Sequence, residues 1–313
     1  MVQNGKKTIW GLGLRGFLLL VLSASGVGCA YDTSRGPSAD GHSIQVLTLT
    51  PPQQHGEAFS SVGFANFTAN TKEVANSVAA LVAAEAAATG VVEIIQSNPD
   101  ALLSASLSIS RVGNNTYTRR YKNRDNETIT TYFREQVCSL TGTFSLMSRD
   151  GRVIAGGPVQ ANYEKTDSSQ DGYPQGRPEQ TIINGLKQDV AIQIARAALP
   201  HYTESYVRVL GGYSSNAELK DGVQQAKIGL YDVARDRFNQ AASSESYSAG
   251  IRAMAYHNLA LLAERSSQYE QALKYLNIAR QFDPNKKEYS LAQSRVNQAI
   301  INRENLNKWR NSP

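Results

Sequence analysis

Residues 253–286, AMAYHNLALLAERSSQYEQALKYLNIARQFDPNK, constrain the fold more than any other stretch of the chain. Tyr256, Leu259, Tyr269 and Leu276 recur at helical spacing, with Ala260, Ala272 and Ala279 among them. Small residues at such positions let two antiparallel helices approach closely, while the bulky ones fill the groove between them. Pro284 ends the second helix. An earlier segment, 215–248, repeats the pattern through Gly222, Gly229, Tyr231, Ala234, Phe238 and Ala241. A chain that writes this arrangement twice is expected to stack helical pairs.

The spacing resembles the tetratricopeptide repeat, whose large, small and proline positions these residues occupy. Glu218 and Asp221 depart from it, standing where that family carries bulky residues, and residues 249–252 separate the two copies. KKEYSLAQSRVNQAIINRENLNKW (286–309) then predicts a capping helix, with Tyr289, Ala292, Val296 and Ala299 in phase. Arrays of this kind usually need three or more units. Two units and a cap are therefore expected to dock on the rest of the protein.

The other end of the chain sets its compartment. Lys6, Lys7 and Arg15 precede an apolar run of about a dozen residues, Phe17 to Gly28. A spanning helix needs roughly 20 apolar residues, so this run is too short and its basic-apolar-small order is that of an export signal. GLGLRG matches the GxGxxG fingerprint through Gly11, Gly13 and Gly16, but that motif works only between a strand and a helix. It is discarded with the signal. The segment resembles a bacterial lipoprotein signal, with cleavage between Gly28 and Cys29 and acylation of Cys29. Gly26 stands where that family usually has leucine, which leaves ordinary signal cleavage with an incidental Cys29 as the alternative. By the same resemblance, Ala30 after the cysteine implies the outer membrane, facing the periplasm.

Composition follows from that reading. The formal net charge is +5, from 32 Lys+Arg against 27 Asp+Glu. Removal of Lys6, Lys7 and Arg15 would leave 29 against 27, and the case for nucleic-acid binding loses its footing. At 313 residues the chain is long enough for about two domains.

The expected organisation is a signal peptide at 1–28, a lipidated tether at 29–43, an α/β sandwich at 44–212 and a repeat domain at 213–313. IQVLTLT (44–50) alternates like a strand. Residues 71–90 form a helix with Val74, Val78, Leu81 and Val82 on one face, capped by Thr71 and Gly90. VVEIIQ (91–96) and ALLSASLSIS (101–110) read as strands. A long strand at 128–147 points Cys138, Leu140, Phe144 and Leu146 one way, with Gly142 between them. It turns at SRDG and returns through a bulge at Gly156-Gly157-Pro158. After a loop from Lys165 to Gln180, a helix carries Ile183, Leu186, Val190 and Ile194, and SYVRVLG (205–211) is a last strand. The fold class is α+β: helices packed on a mixed β-sheet, an α/β sandwich, followed by an all-α tetratricopeptide-repeat domain.

Catalytic signatures are missing from this sequence. His42, His55, His201 and His257 lack metal spacing, with His42 and His55 falling in tether or loop sequence. Cys138 reads as a buried small apolar residue. No GxSxG, HExxH or CxxC motif occurs. The chain is expected not to be an enzyme, with no metal and no cofactor beyond the covalent lipid at Cys29. One segment points to a partner. In RVGNNTYTRRYKNRDNETITTYFRE (111–135), Arg119, Arg120, Lys122 and Arg124 interleave with Tyr117, Tyr121 and Tyr132. This is either a solvated hairpin tip or a docking surface for an acidic partner, envelope polymer or lipid headgroup, for which Tyr117, Arg119, Arg120, Tyr121 and Arg124 are the candidate contacts.

Region 44–211 loosely resembles, through its element order, the domain shared by the curli-secretion lipoprotein and lipoprotein activators of cell-wall synthases. That resemblance implies a scaffold or assembly factor of the envelope, with a curli-type secretion pore as the alternative and an envelope enzyme as a third. Envelope proteins, cell-wall polymer and further copies of the chain are the expected partners, and nucleic acid is not.

Overall fold

A computed structural model describes residues 42–54 and 57–311. Gly28, Cys29, the export signal, the tether up to residue 41 and His55 lie outside the described residues. The elements run β1 (Ser43–Thr50), β2 (Ser61–Ala69), α1 (Lys72–Thr89), β3 (Glu93–Ile94), β4 (Ala101–Ile109), β5 (Gly113–Lys122), β6 (Thr128–Ser148), β7 (Val153–Ser169), α2 (Glu179–Ala198) and β8 (His201–Arg208). Five helices follow: α3 (Ala217–Lys227), α4 (Tyr231–Ser243), α5 (Ala249–Arg265), α6 (Tyr269–Phe282) and α7 (Lys287–Arg310). The architecture is the expected α+β one.

Six strands make a mixed sheet in the order β3-β2-β4-β6-β5, with β7 on the other flank of β6. β2 runs parallel to β3 and β4, and the remaining pairings are antiparallel. The 21-residue β6 organises it. Its second half pairs with β4 and its first half with β5, while β7 runs along its opposite edge. Alternation then decides the faces. Leu103, Ala105 and Leu107 of β4 and Cys138, Leu140, Phe144 and Leu146 of β6 are buried in one cluster with Val78, Val82, Val190 and Ile194 of α1 and α2. Each fully buried Val or Leu contributes about 1.5–3 kcal/mol. Leu102, Ser106 and Ser108 point to the uncovered face.

Several local expectations need correction. VVEIIQ forms a strand only at Glu93 and Ile94. Residues 61–69, to which the sequence pattern assigns no element, form β2, whose alternation is broken because Asn66 takes φ 54° and the register shifts between Phe64 and Phe67. The irregularity between β6 and β7 lies at Ile154, between the pairs Leu146–Ala155 and Met147–Val153. Gly156, Gly157 and Pro158 instead hold regular pairings with Ser145, Phe144 and Thr143, and β7 continues to Ser169 through what reads as loop. On α1, Gly90 caps the end in the left-handed conformation, whereas the Thr71 side chain makes no cap bond and Leu81 is exposed. On α2, Ile182 is buried in place of Ile183. The last strand spans 201–208, because Pro200 ends α2 just before it.

The helical residues pack as their spacing requires. Ala234, Phe238 and Ala241 of α4, Leu259 and Ala260 of α5, and Tyr269, Ala272, Leu276 and Ala279 of α6 are all buried. Tyr231 and Tyr256 are half-buried. Gly229 turns the chain between α3 and α4 with φ 83°, and Pro284 sits just beyond α6. A Cβ on Gly222 would lie 2.5 Å from the Phe238 ring, so the first helical pair closes only because that position is glycine. On α7, Tyr289, Ala292, Val296 and Ala299 are buried.

The sheet and the helices share their cores. Among the described residues β1 and β8 pair only with each other, eight residues against eight, as a separate antiparallel ribbon. Ile44, Val46 and Val209 join Leu219, Val223, Phe238, Leu259 and Leu262 in one cluster. The ribbon thus covers the apolar side of a two-pair stack, which the helices alone would leave open to water. In the other direction, Leu306 and Trp309 at the end of α7 enter the sheet cluster, and Trp309 meets Phe59 edge-on at 5.2 Å. The expected docking is an interlock through the first and last elements.

Candidate partner-binding surface

Beyond the helix-covered core, β5 and the first half of β6 form an arm, backed from Tyr132 to Val137 by the last residues of β7. Its sequence is rich in Thr, Tyr and Phe, which suit a pleated surface with little beneath it. Ten residue pairs hold it, from Gly113–Val137 to Lys122–Thr128, a length of about 30 Å. The tip is a defined turn: Asn123 Oδ1 accepts from the Asp125 and Glu127 amides at 3.0 and 2.9 Å, and Asn126 adopts φ 64°. At the base, Gln136 is buried. Its Oε1 accepts from the Arg177 amide at 2.7 Å, and its Nε2 donates to Arg177 O at 3.1 Å and Asn114 Oδ1 at 2.9 Å.

Register divides the five candidate contacts. Tyr117, Arg119 and Tyr121 alternate onto one face, the continuation of the uncovered side of the sheet. Tyr117 lies opposite Phe133, and their rings stack at 4.9 Å and 7°. The Arg119 guanidinium sits 5.6 and 5.4 Å from the two ring centroids. Tyr121 is 50% exposed further along the same face. Arg120 points the other way, opposite Thr130, and Arg124 stands in the turn. Phe133 is not marked by Arg-Tyr interleaving in the sequence. It becomes visible only when β5 is registered on β6. On the opposite face, Tyr132 packs edge-on against Tyr173 at 5.1 Å. Residues 113–137 carry five cations and three carboxylates.

A concavity of about 630 Å³ lies where Glu57–Ser60, Asp100 and the 148–154 turn meet Trp309 and Arg310. Most of its charged groups already have partners. Asp100 accepts from Ser60 Oγ at 2.6 Å and from the Ser60 and Ser61 amides at 3.1 and 3.0 Å, and the serine side chains, Ser60 foremost, with these amides hold its carboxyl below the usual range. Arg152 pairs with Asp150 at 2.6 Å and Glu57 at 2.9 Å.

The remaining chemistry-bearing groups are placed structurally. Cys138 is a buried free thiol beside Ser110. His42, expected in the tether, is buried with its ring edge-on to Tyr213 at 5.0 Å. His201 and His257 are buried too, and burial lowers the pKa of both, that of His257 to about 3.

No protein-family model and no curated protein matches the chain. Among solved structures it is similar to a minor lipoprotein from Acinetobacter baumannii, at 18% identity and TM-score 0.23 over 46% of this chain and 98% of that one. It is also similar to the PelC dodecamer from Paraburkholderia phytofirmans, at 15% identity and TM-score 0.23 over 50% of this chain and 99% of that one. A third is uncharacterized lipoprotein B from Nitrosomonas europaea, at 11% identity and TM-score 0.22 over 46% and 84% of the two chains. At these identities and scores they establish no family membership.

Proposed function

We propose that the chain is a non-enzymatic lipoprotein of the outer membrane that acts in the periplasm as a scaffold or assembly factor, and that the β5–β6 arm grips an acidic protein partner. The Tyr117–Phe133–Arg119 stack is the observation that carries this reading. Its rings are already ordered by cross-strand packing, so a partner meets an aromatic and cationic platform without paying to immobilise it. The surplus of cations on the arm favours acidic segments, and β5 pairs on one edge only among the described residues. The helical pairs are read as tetratricopeptide repeats, supported by burial of their large and small positions. The anchor is read from the signal-like segment ending at Cys29.

A photo-crosslinking residue at Tyr121, used in cells and followed by mass spectrometry, tests the arm. Recovery of one envelope assembly through an acidic segment, lost in Tyr117→Ala/Arg119→Ala, is the expected result. A ring of identical copies that conducts ions would replace this reading with a pore subunit, and no crosslinked partner would overturn it. Cys29→Ser is expected to move the protein from the membrane to the soluble fraction.

A further inference from the structure

The β1–β8 ribbon has a second face. Ile44, Val46 and Val207 turn toward the helical cluster, so Gln45 and Leu47 turn away from it, opposite Tyr206 and Glu204, while Leu49, opposite Tyr202, packs against the sheet cluster. Leu47, Tyr202 and Tyr206 are exposed, the last by 45%. Just past β8, Tyr213 is 76% exposed and leans on His42, the first described residue. Tyr206 lies opposite Gln45, three residues from His42 or about 10 Å along the strand. Tyr206 and Tyr213 therefore stand exposed near where the chain from Cys29 joins the fold, with Tyr202 further along the ribbon.

We infer that this face, through Leu47, Tyr202 and Tyr206, together with the exposed Tyr213 where the tether meets the fold, rests at the headgroup level of the phospholipid leaflet that holds the anchor. The inference rests on the reading of Cys29 as lipidated. Twelve residues lie between Cys29 and His42, a length of chain that reaches at most about 45 Å. An anchored fold never leaves the neighbourhood of the lipid surface, so contact is intramolecular and weak attraction suffices. Tyrosine suits that depth, with an apolar ring for the acyl boundary and a hydroxyl for the hydrated side. The face also lacks the charge of the arm: Glu204 is balanced by Arg208, which shares the face opposite Ser43. A neutral aromatic surface beside the tether fits lipid, as the basic arm fits an acidic protein.

The test uses the mature lipidated protein in vesicles of phosphatidylethanolamine with a minor fraction of phosphatidylglycerol, some acyl chains being brominated near the headgroup. Tyr206→Trp and Tyr213→Trp are compared with Leu291→Trp, an exposed position on α7, over the common background of buried Trp309. Flotation with the vesicles reports the anchor, and bromine quenching reports the face. Quenching of the two ribbon variants about two-fold greater than that of Leu291→Trp is expected. Flotation with equal quenching at all three positions overturns the docking face and leaves the lipidation reading intact. Failure to float overturns the lipidation reading, and this inference with it.

Discussion

Asn258 of α5 pairs with the backbone of Leu210 through both ends of its side-chain amide. The Leu210 amide donates to Asn258 Oδ1 at 2.9 Å, and Asn258 Nδ2 donates to the Leu210 carbonyl at 2.8 Å. Leu210 lies just beyond β8, where the ribbon ladder has ended and both backbone groups are buried. A helix side chain here takes the place of a neighbouring strand and pins the connection between sheet and helices.

Asn258→Leu keeps the volume and leaves two buried backbone groups without partners. A stability loss of about 2–4 kcal/mol is expected from urea unfolding. Hydrogen exchange at the Leu210 amide should speed up by a larger factor than exchange at Leu103 in the sheet core.

Glu264 is buried on α5 and receives a two-pronged bond from Arg295 of α7, both contacts 2.7 Å. Arg295→Ala strands a buried carboxylate and should cost about 3–5 kcal/mol. Glu264→Leu combined with Arg295→Met removes both charges and should recover most of that loss in the same unfolding measurement.

His257 gives the fold an acid limit. Its folded pKa is about 3, below the ordinary 6.5, owing to burial and to the nearby charges of Arg295 and Lys286. The unfolded chain therefore binds the extra proton as pH falls below 6.5. Stability is present above that pH and is lost on the way down toward 3, by roughly 2–3 kcal/mol at pH 4.5. Asp100, whose folded pKa is also lowered, loses its contribution in the same direction on further acidification. Subtracting the pH–stability curve of His257→Phe from that of the parent isolates the histidine, and a flat difference between pH 6.5 and 4.5 would contradict the assignment.

Gly142 lies opposite Leu107 in the β4–β6 ladder. An added Cβ would overlap the Ser106 carbonyl and sit 2.9 Å from the Leu107 Cα. Backbone cannot yield as a side chain can, so Gly142→Ala should cost more than about 3 kcal/mol. Gly185→Ala, open around its Cβ on α2, is the matched control and should change stability by under about 1 kcal/mol in the stabilising direction.

Legibility followed the range of the interactions. The helical pairs were readable because Phe238, Ala241, Ala272 and Leu276 take their roles from neighbours within one local repeat. The face of β6 was readable because alternation from Cys138 to Leu146 needs no partner to be seen. β2 was not, since Asn66 breaks its period. Of the candidate arm contacts, Tyr117, Arg119 and Tyr121 share a face, while Arg120 does not and Phe133 was absent. Composition suggested a contact surface there, but only the register says which side chains meet.

By itself the sequence determined the class of the fold, the helix and strand periods, the buried state of Cys138 and a basic-aromatic arm. All of these follow from patterns spanning one or two neighbouring elements. Tertiary structure alone decided that β1 leaves the sheet to pair with β8, that this ribbon closes the helical stack, and that Leu306 and Trp309 return to the sheet core. An apolar strand such as IQVLTLT carries the same alternation whichever surface it covers. Which surface it takes depends on where apolar area elsewhere in the chain is left exposed to water.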